Sequence, residues 1–124
     1  MLSFCKEERL CSKKVISQLL NNGASFFSYP FTVKWIESDS SQCYPVQILT
    51  VVPKRNFKKA VDRNRIKRLI KEAYRINKEL LFDRLNNKNK KLALMLIYSG
   101  KKIISYEEIT LKINIIIEQL TQSI

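Results

Sequence analysis

One run of seven residues, Leu92–Tyr98, is apolar along its whole length and constrains the fold more than any other segment. A strand with one face in water alternates apolar and polar residues, whereas a continuous apolar run is typical of a strand covered on both faces. The pattern alone is also compatible with a buried helix. We expect a strand here, with other elements packed against both of its faces.

Three further segments are candidate strands. Residues 44–52 form a β-rich run that ends at Pro53, which cannot donate to a central ladder. Residues 31–37 alternate, and a short strand can form near residues 25–28. In residues 31–37, one face of the expected strand consists of Phe31, Val33 and Trp35. The other face carries Thr32 and Lys34.

Three segments have the period of a helix. The first follows a capping Ser12 and ends at Asn21-Asn22-Gly23. The second extends from Asp62 to about Asn86, and the third follows the capping-box segment Ser105–Glu108. The buried faces expected for these helices are Val15, Ile16, Leu19 and Leu20; Ile66, Leu69, Ile70, Ala73, Tyr74, Asn77, Leu80 and Leu81; and Ile109, Ile113, Ile116, Ile117 and Leu120.

The resulting order is α–β–β–β–α–β–α, and we expect an α+β two-layer sandwich with a four-stranded sheet. The chain has 124 residues with only two Gly and three Pro, and it contains neither an internal repeat nor a low-complexity linker. We therefore expect residues 1–124 to form a single domain.

The composition argues against several classes of function. The chain has no His, and its three cysteines, Cys5, Cys11 and Cys43, lack the spacing of a zinc site. Its acids are scattered or adjacent, as in Glu107-Glu108, so we expect no catalytic or metal-binding carboxylate set. The N-terminus lacks the form of a signal peptide and the apolar runs are short, so we expect a cytoplasmic protein without a membrane partner.

The positive charge is concentrated in one segment. The chain carries 23 Lys and Arg against 11 Asp and Glu, a net charge of +12, and +8 of it lies in residues 54–75. Only Asp62 and Glu72 oppose the cations of that segment. The ten cations are Lys54, Arg55, Lys58, Lys59, Arg63, Arg65, Lys67, Arg68, Lys71 and Arg75.

Helical geometry predicts a stripe of cations, because residues three and four apart lie on one face. The stripe consists of Arg63, Lys67, Lys71, Arg75 and Lys78, with Arg65 and Arg68 beside it. Like charges at this spacing destabilise an isolated helix. A solvated helix face is the ordinary explanation of a run of charged residues. The excess of positive over negative charge and the second group of cations in residues 54–59, just before the helix, instead favour a polyanionic partner. Asn64, inside the stripe, can contact a base edge or a 2′-hydroxyl, or it can help the helix to begin.

The segment from Lys54 to Arg75 closely resembles the signature of the bacterial ribonuclease P protein subunit. The centre of the signature is Arg63-Asn64-Arg65, followed by Ile66-Lys67-Arg68. The order of elements is similar to that family across nearly the whole chain. The resemblance implies the fold of domain 2 of ribosomal protein S5, whose strand–helix–strand crossover is left-handed against the general rule.

The resemblance implies a subunit and not a self-sufficient enzyme. In the family, a catalytic RNA with its associated Mg²⁺ removes the 5′ leader from precursor tRNA, while the protein binds that RNA and holds the leader. We expect a 1:1 complex with such an RNA, and neither a catalytic residue nor a cofactor on the protein. The expected RNA-binding residues are Lys54, Arg55, Lys58, Lys59, Arg63, Asn64, Arg65, Lys67, Arg68, Lys71 and Arg75.

The leader-binding cleft of the family lies between the first helix and the sheet, and it corresponds here to Ile16, Leu20, Thr32 and Lys34. Many members have Phe at the two helix positions, where a ring can stack on a base. Ile16 and Leu20 cannot stack in this way, and they can line the cleft or pack in the core. The nearby rings that can act in their place are Phe26, Phe27 and Tyr29.

Two other classes of function stay open at this point. A small basic domain can be an RNA- or DNA-binding module of another kind, such as a ribosomal protein. A protein-only nuclease is the third class, although the carboxylates that it would need are not grouped in the sequence.

Overall fold

The structure is a computed structural model that describes residues 13–37, 46–88 and 90–123. The helices are α1 (Lys13–Asn22), α2 (Ala60–Asn87) and α3 (Tyr106–Ser123), and the strands are β1 (Ala24–Ser28), β2 (Phe31–Glu37), β3 (Val46–Val51) and β4 (Leu92–Tyr98). The expected order of elements is confirmed, and the apolar run at residues 92–98 is a strand. Ser12 and the three cysteines lie outside the described residues.

β4 is an inner strand of a four-stranded sheet with the order β1-β2-β4-β3. It pairs antiparallel with β2, where Val33 lies opposite Leu96, and parallel with β3, where Ile48 lies opposite Leu94. A parallel pair needs a crossover connection, and α2 is the helix of that crossover. The left hand expected for it from the resemblance stays a prediction.

The two faces of β4 are covered by different helices. Leu94 and Leu96 belong to the main hydrophobic cluster, which contains the buried residues of α2 and α3. Ala93 and Met95 point to the opposite face and pack with the fully buried Leu19 of α1. The expected burial of β4 on both sides is therefore confirmed, and α1 is the element that covers the second side.

The buried face of α3 agrees with its predicted pattern at all five positions. Its start is also as predicted, since the Glu108 N–H donates to the Ser105 hydroxyl at 3.2 Å. None of the helices in the described ranges is long and apolar enough to cross a membrane.

α2 differs from its predicted pattern at Leu80 and at Lys78, a member of the predicted stripe of cations. Leu80 was expected on the buried face but is 54% exposed, because Leu81, about 100° further around the helix, takes the place against the core. Lys78 is buried instead, with its ammonium 5.2 Å from the centre of the Phe82 ring. Asn77, the one polar residue predicted on the buried face of α2, donates a hydrogen bond from its side-chain amide to the Ala73 carbonyl at 2.8 Å.

The adjacent leucines of α1 provide a test of how this helix packs on the sheet. Leu19 is fully buried and Leu20 is 54% exposed. Leu19→Ala should therefore lower the free energy of unfolding by about 2–5 kcal/mol, because it leaves a cavity beneath α1. Leu20→Ala should change it by less than about 1 kcal/mol. Urea denaturation followed by circular dichroism measures both, and equal losses would contradict the placement of α1.

Candidate nucleic-acid interface

Residues 64–75 of α2 form a basic groove on the surface of the domain. Its cavity measures about 370 Å³. Residues three and four apart on a helix lie on the same side, so Lys67, Lys71 and Arg75 of the predicted stripe line this groove together. We call it the α2 groove, and its lining residues are Asn64, Lys67, Arg68, Lys71, Glu72 and Arg75.

Glu72 is the acid in this groove, and sequence reasoning had counted it only as a partial offset to the charge. Arg75 donates from Nε to Oε2 of Glu72 at 3.0 Å and from Nη2 to Oε1 at 2.5 Å. This hydrogen bonding lowers the pKa of the Glu72 carboxyl and raises that of Arg75. The groove thus presents Lys67, Arg68 and Lys71 beside an Arg75 that is already hydrogen-bonded to a carboxylate.

A second basic surface, the basic loop of residues 54–59, leads directly into α2. Its four cations, Lys54, Arg55, Lys58 and Lys59, are all exposed. The Asn56 N–H donates to the Pro53 carbonyl at 3.2 Å, which closes a turn at the start of the loop.

The side chain of Phe57 anchors the basic loop to the core. It is buried in the main cluster, with its ring 5.9 Å from the ring of Tyr98 at the end of β4. Because of this anchor, the loop cations are held next to the first turn of α2, and the two basic surfaces adjoin each other.

The two Arg of the central triplet do not line the α2 groove. Arg65 is exposed on α2 but is absent from the groove lining. Arg63 is half-buried and directed toward the basic loop, where its Nη1 donates to the Phe57 carbonyl at 2.8 Å and to the Lys58 carbonyl at 2.9 Å. The expectation that both contact RNA stays a prediction.

The two alternatives for Asn64 can now be separated. α2 begins at Ala60 with Lys59 at its N-cap, so Asn64 lies inside the helix and is not a cap. Its side chain is exposed and lines the α2 groove. An amide both donates and accepts hydrogen bonds, which the neighbouring cations cannot do. The helix-start interpretation is therefore wrong, and contact with a base edge or a 2′-hydroxyl stays a prediction.

The residues expected in a leader cleft lie on the opposite side of the sheet. Lys34 and Thr32 are half-buried on β2, and Thr32 shares a hydrogen bond of 2.9 Å with the Ser99 hydroxyl. Ile16 packs partly against the small cluster beneath α1, whereas Leu20 is mostly in solvent. Leu20 is therefore not a core residue, and Ile16 lies between the core and the surface.

Two exposed aromatic rings adjoin this surface. Phe27 lies opposite Thr32 in the pairing of β1 with β2, so both face the α1 side of the sheet. Phe27 is 61% exposed, and its ring centroid is 6.4 Å from that of the equally open Tyr29. Phe26 points the other way and packs against the main cluster. Strand alternation in β1 thus excludes Phe26 as a stacking residue and leaves Phe27 and Tyr29 available.

We define the α1 face as the surface formed by Ile16, Leu20, Phe27, Thr32 and Lys34. It combines exposed apolar groups with an ammonium, a combination suited to an unpaired nucleotide strand, because bases stack on rings and phosphates pair with cations. Across residues 13–37, 46–88 and 90–123, no group of three or more His, Cys, Asp or Glu could hold a metal ion.

Comparison with known families gives a match over most of the chain. The family model described as Ribonuclease P matches residues 4–120. The "Ribonuclease P protein component" of Porphyromonas gingivalis is 40% identical over 84 residues, which cover 67% of this chain and 61% of that protein. The protein of the same name from Pseudoalteromonas translucida is 38% identical over 108 residues, covering 87% of this chain and 70% of that protein. The matched stretch thus spans less than two thirds of the Porphyromonas protein.

Solved structures share the fold. The RNase P protein of Staphylococcus aureus superposes with a TM-score of 0.72 at 18% identity, covering 91% of this chain and 94% of that one. The RNase P protein from Thermotoga maritima gives a TM-score of 0.67 at 19% identity, covering 90% and 96%. At this level of identity the superpositions establish a common fold for the described elements.

Proposed function

The chain belongs to the ribonuclease P protein family, and on that premise we propose that it is the protein subunit of a ribonuclease P, which binds a catalytic RNA and promotes removal of the 5′ leader from precursor tRNA. The observation that carries this proposal is the junction of the basic loop with the α2 groove. The row of cations consists of four exposed side chains in the loop and four that line the groove of the helix that follows it, and the one carboxylate of that lining is already paired with Arg75.

The charge of this row supports a nucleic-acid backbone as its ligand. Each phosphate neutralised by Lys or Arg releases a condensed counterion, so closely spaced cations favour binding to a polyanion. Arg68 can form forked contacts with a phosphate, and Lys67 and Lys71 act as point charges on either side. Asn64 adds a donor and an acceptor that can reach a ribose 2′-hydroxyl, which is present in RNA and absent from DNA. These features favour RNA over the DNA-binding alternative.

In the proposed complex, cleavage chemistry and its associated Mg²⁺ belong to the RNA, and the protein contributes binding. Its cations reduce repulsion between phosphates of the catalytic RNA and of the substrate, a task that otherwise requires a higher concentration of divalent ions. The protein should therefore lower the Mg²⁺ concentration at which the RNA is active. One protein per RNA is expected, in the cytoplasm, where the substrate would be processed.

The leader is proposed to bind the α1 face. Phe27 supplies a ring on which a base can stack, and Lys34 supplies a charge for the strand's phosphates. Leu20 adds apolar surface, although it cannot stack as the Phe of many family members can. The two proposed RNA surfaces lie on opposite sides of the sheet, so the catalytic RNA and the leader can be bound at the same time.

Reconstitution tests the proposed function. The protein alone should cleave no precursor tRNA, whereas adding it to the ribonuclease P RNA of the same organism should restore leader removal at low Mg²⁺. Lys67→Ala/Arg68→Ala should weaken this effect and make the log–log salt dependence of RNA binding less steep by about two. The matched variant Arg84→Ala/Lys88→Ala, which removes two exposed cations at the C-terminal end of α2, should behave like the original. Unchanged RNA activity on addition of the protein would overturn the proposal.

A second experiment tests the leader surface separately. Phe27→Ala should weaken binding of leader-bearing precursor by about 1–3 kcal/mol, or roughly 5- to 150-fold, through the loss of stacking. Binding of mature tRNA by the reconstituted complex should not change. Leu111→Ala, which removes an equally exposed apolar side chain from α3, is the control. Equal weakening of both RNAs by Phe27→Ala would show that this face does not read the leader.

A further inference from the structure

Arg63 belongs to the basic signature, but its guanidinium is engaged within the protein. Nη1 donates to the Phe57 carbonyl at 2.8 Å and to the Lys58 carbonyl at 2.9 Å. Both protons of that nitrogen are therefore used on successive carbonyls of the basic loop. The backbone N–H of Arg63 also donates to the Lys59 carbonyl at 3.2 Å, at the first turn of α2. One residue thus binds three successive carbonyl groups of the chain that leads into the helix.

The end of the basic loop has few other constraints among the described residues. Phe57 is fixed by its buried ring, but the side chains of Lys58 and Lys59 are exposed. Lys59 is the N-cap of α2 and provides no side-chain hydrogen bond to the helix. The Arg63 clamp is therefore the interaction that sets the direction of the backbone carrying these two cations.

We infer that Arg63 is a positioning residue, which acts on RNA through the basic loop and not as a phosphate ligand itself. This inference rests on the proposed function. The clamp holds the loop backbone so that Lys58 and Lys59 continue the row of cations in the α2 groove. A flexible loop must lose conformational entropy when its side chains bind, whereas a loop already held in place loses less. Arg suits this role because its rigid, planar guanidinium directs the N–H groups of Nη1 toward both carbonyls, while Lys is a flexible point charge.

A double-mutant cycle separates the two roles of Arg63. If Arg63 positions the loop, Lys58→Ala/Lys59→Ala should weaken RNA binding clearly in the original protein but much less in the Arg63→Ala background, a coupling of at least about threefold in Kd. If Arg63 is an independent phosphate ligand, the two losses should multiply, and this result would overturn the inference. Arg68→Ala in place of Arg63→Ala is the control, and it should show no coupling of this kind with the loop variant.

The conservative variant Arg63→Lys provides a second criterion. It keeps the charge but not the planar guanidinium that reaches both carbonyls, so it should bind RNA about as weakly as Arg63→Ala. A phosphate ligand would instead be rescued by Lys, with the original salt dependence retained. Rescue of affinity by Arg63→Lys would therefore contradict a positioning role.

Hydrogen exchange of the free protein tests the clamp without RNA. Amides of residues 56–59 should exchange faster in Arg63→Ala and Arg63→Lys, while amides of β4 should keep their original protection. This readout is independent of the proposed function, because failure of the original protein to bind ribonuclease P RNA would reject that function and leave the exchange result intact. Unchanged exchange in residues 56–59 would reject the clamp. Faster exchange in β4 as well would show a global loss of stability and would also overturn the inference.

Discussion

Burial of β4 on both of its faces is the constraint on which the rest of the structure depends. Leu94 and Leu96 require a layer of helices on one side, and Ala93 and Met95 require a cover on the other. α2 and α3 provide the first and α1 the second. Because each cover also has an outward side, the same constraint creates two separate surfaces, the α2 groove with the basic loop and the α1 face. The proposed division of binding between a catalytic RNA and a leader follows from this arrangement.

The basic surface lies on the connection between the parallel strands β3 and β4, and its charge opposes helix formation. Like charges at helical spacing repel, and Glu72 offsets only part of this repulsion through Arg75. The apolar stripe on the other side of α2, with Ile66 and Ile70 fully buried, holds the helix against the sheet despite the repulsion. Packing therefore maintains a cation density that an isolated helix would not tolerate, and a polyanion relieves it on binding.

Elements with strong periodicity were predictable from the sequence, because their burial follows directly from local spacing. β4 and the buried face of α3 are examples. Leu80 was mispredicted because two adjacent residues at the edge of an apolar stripe compete for one place, and the neighbouring elements decide between them. Strand alternation predicts that Phe26 and Phe27 point to opposite faces of the sheet. Which of the two points outward follows only from the pairing of β1 with β2. The Arg63 clamp was not predictable, since the loop carbonyls that it binds have no side-chain signal in the sequence.

The central claim is that the basic loop and the α2 groove together form the surface that binds the catalytic RNA. Lysine acetylation, measured by mass spectrometry on the free protein and on its complex with ribonuclease P RNA, tests this most directly. The account predicts that Lys54, Lys58, Lys59, Lys67 and Lys71 become several-fold less reactive in the complex. Lys88, at the C-terminal end of α2, and Lys112 of α3 should react at the same rate in both. Protection of this second group, with continued reactivity in the basic loop and the α2 groove, would contradict the claim.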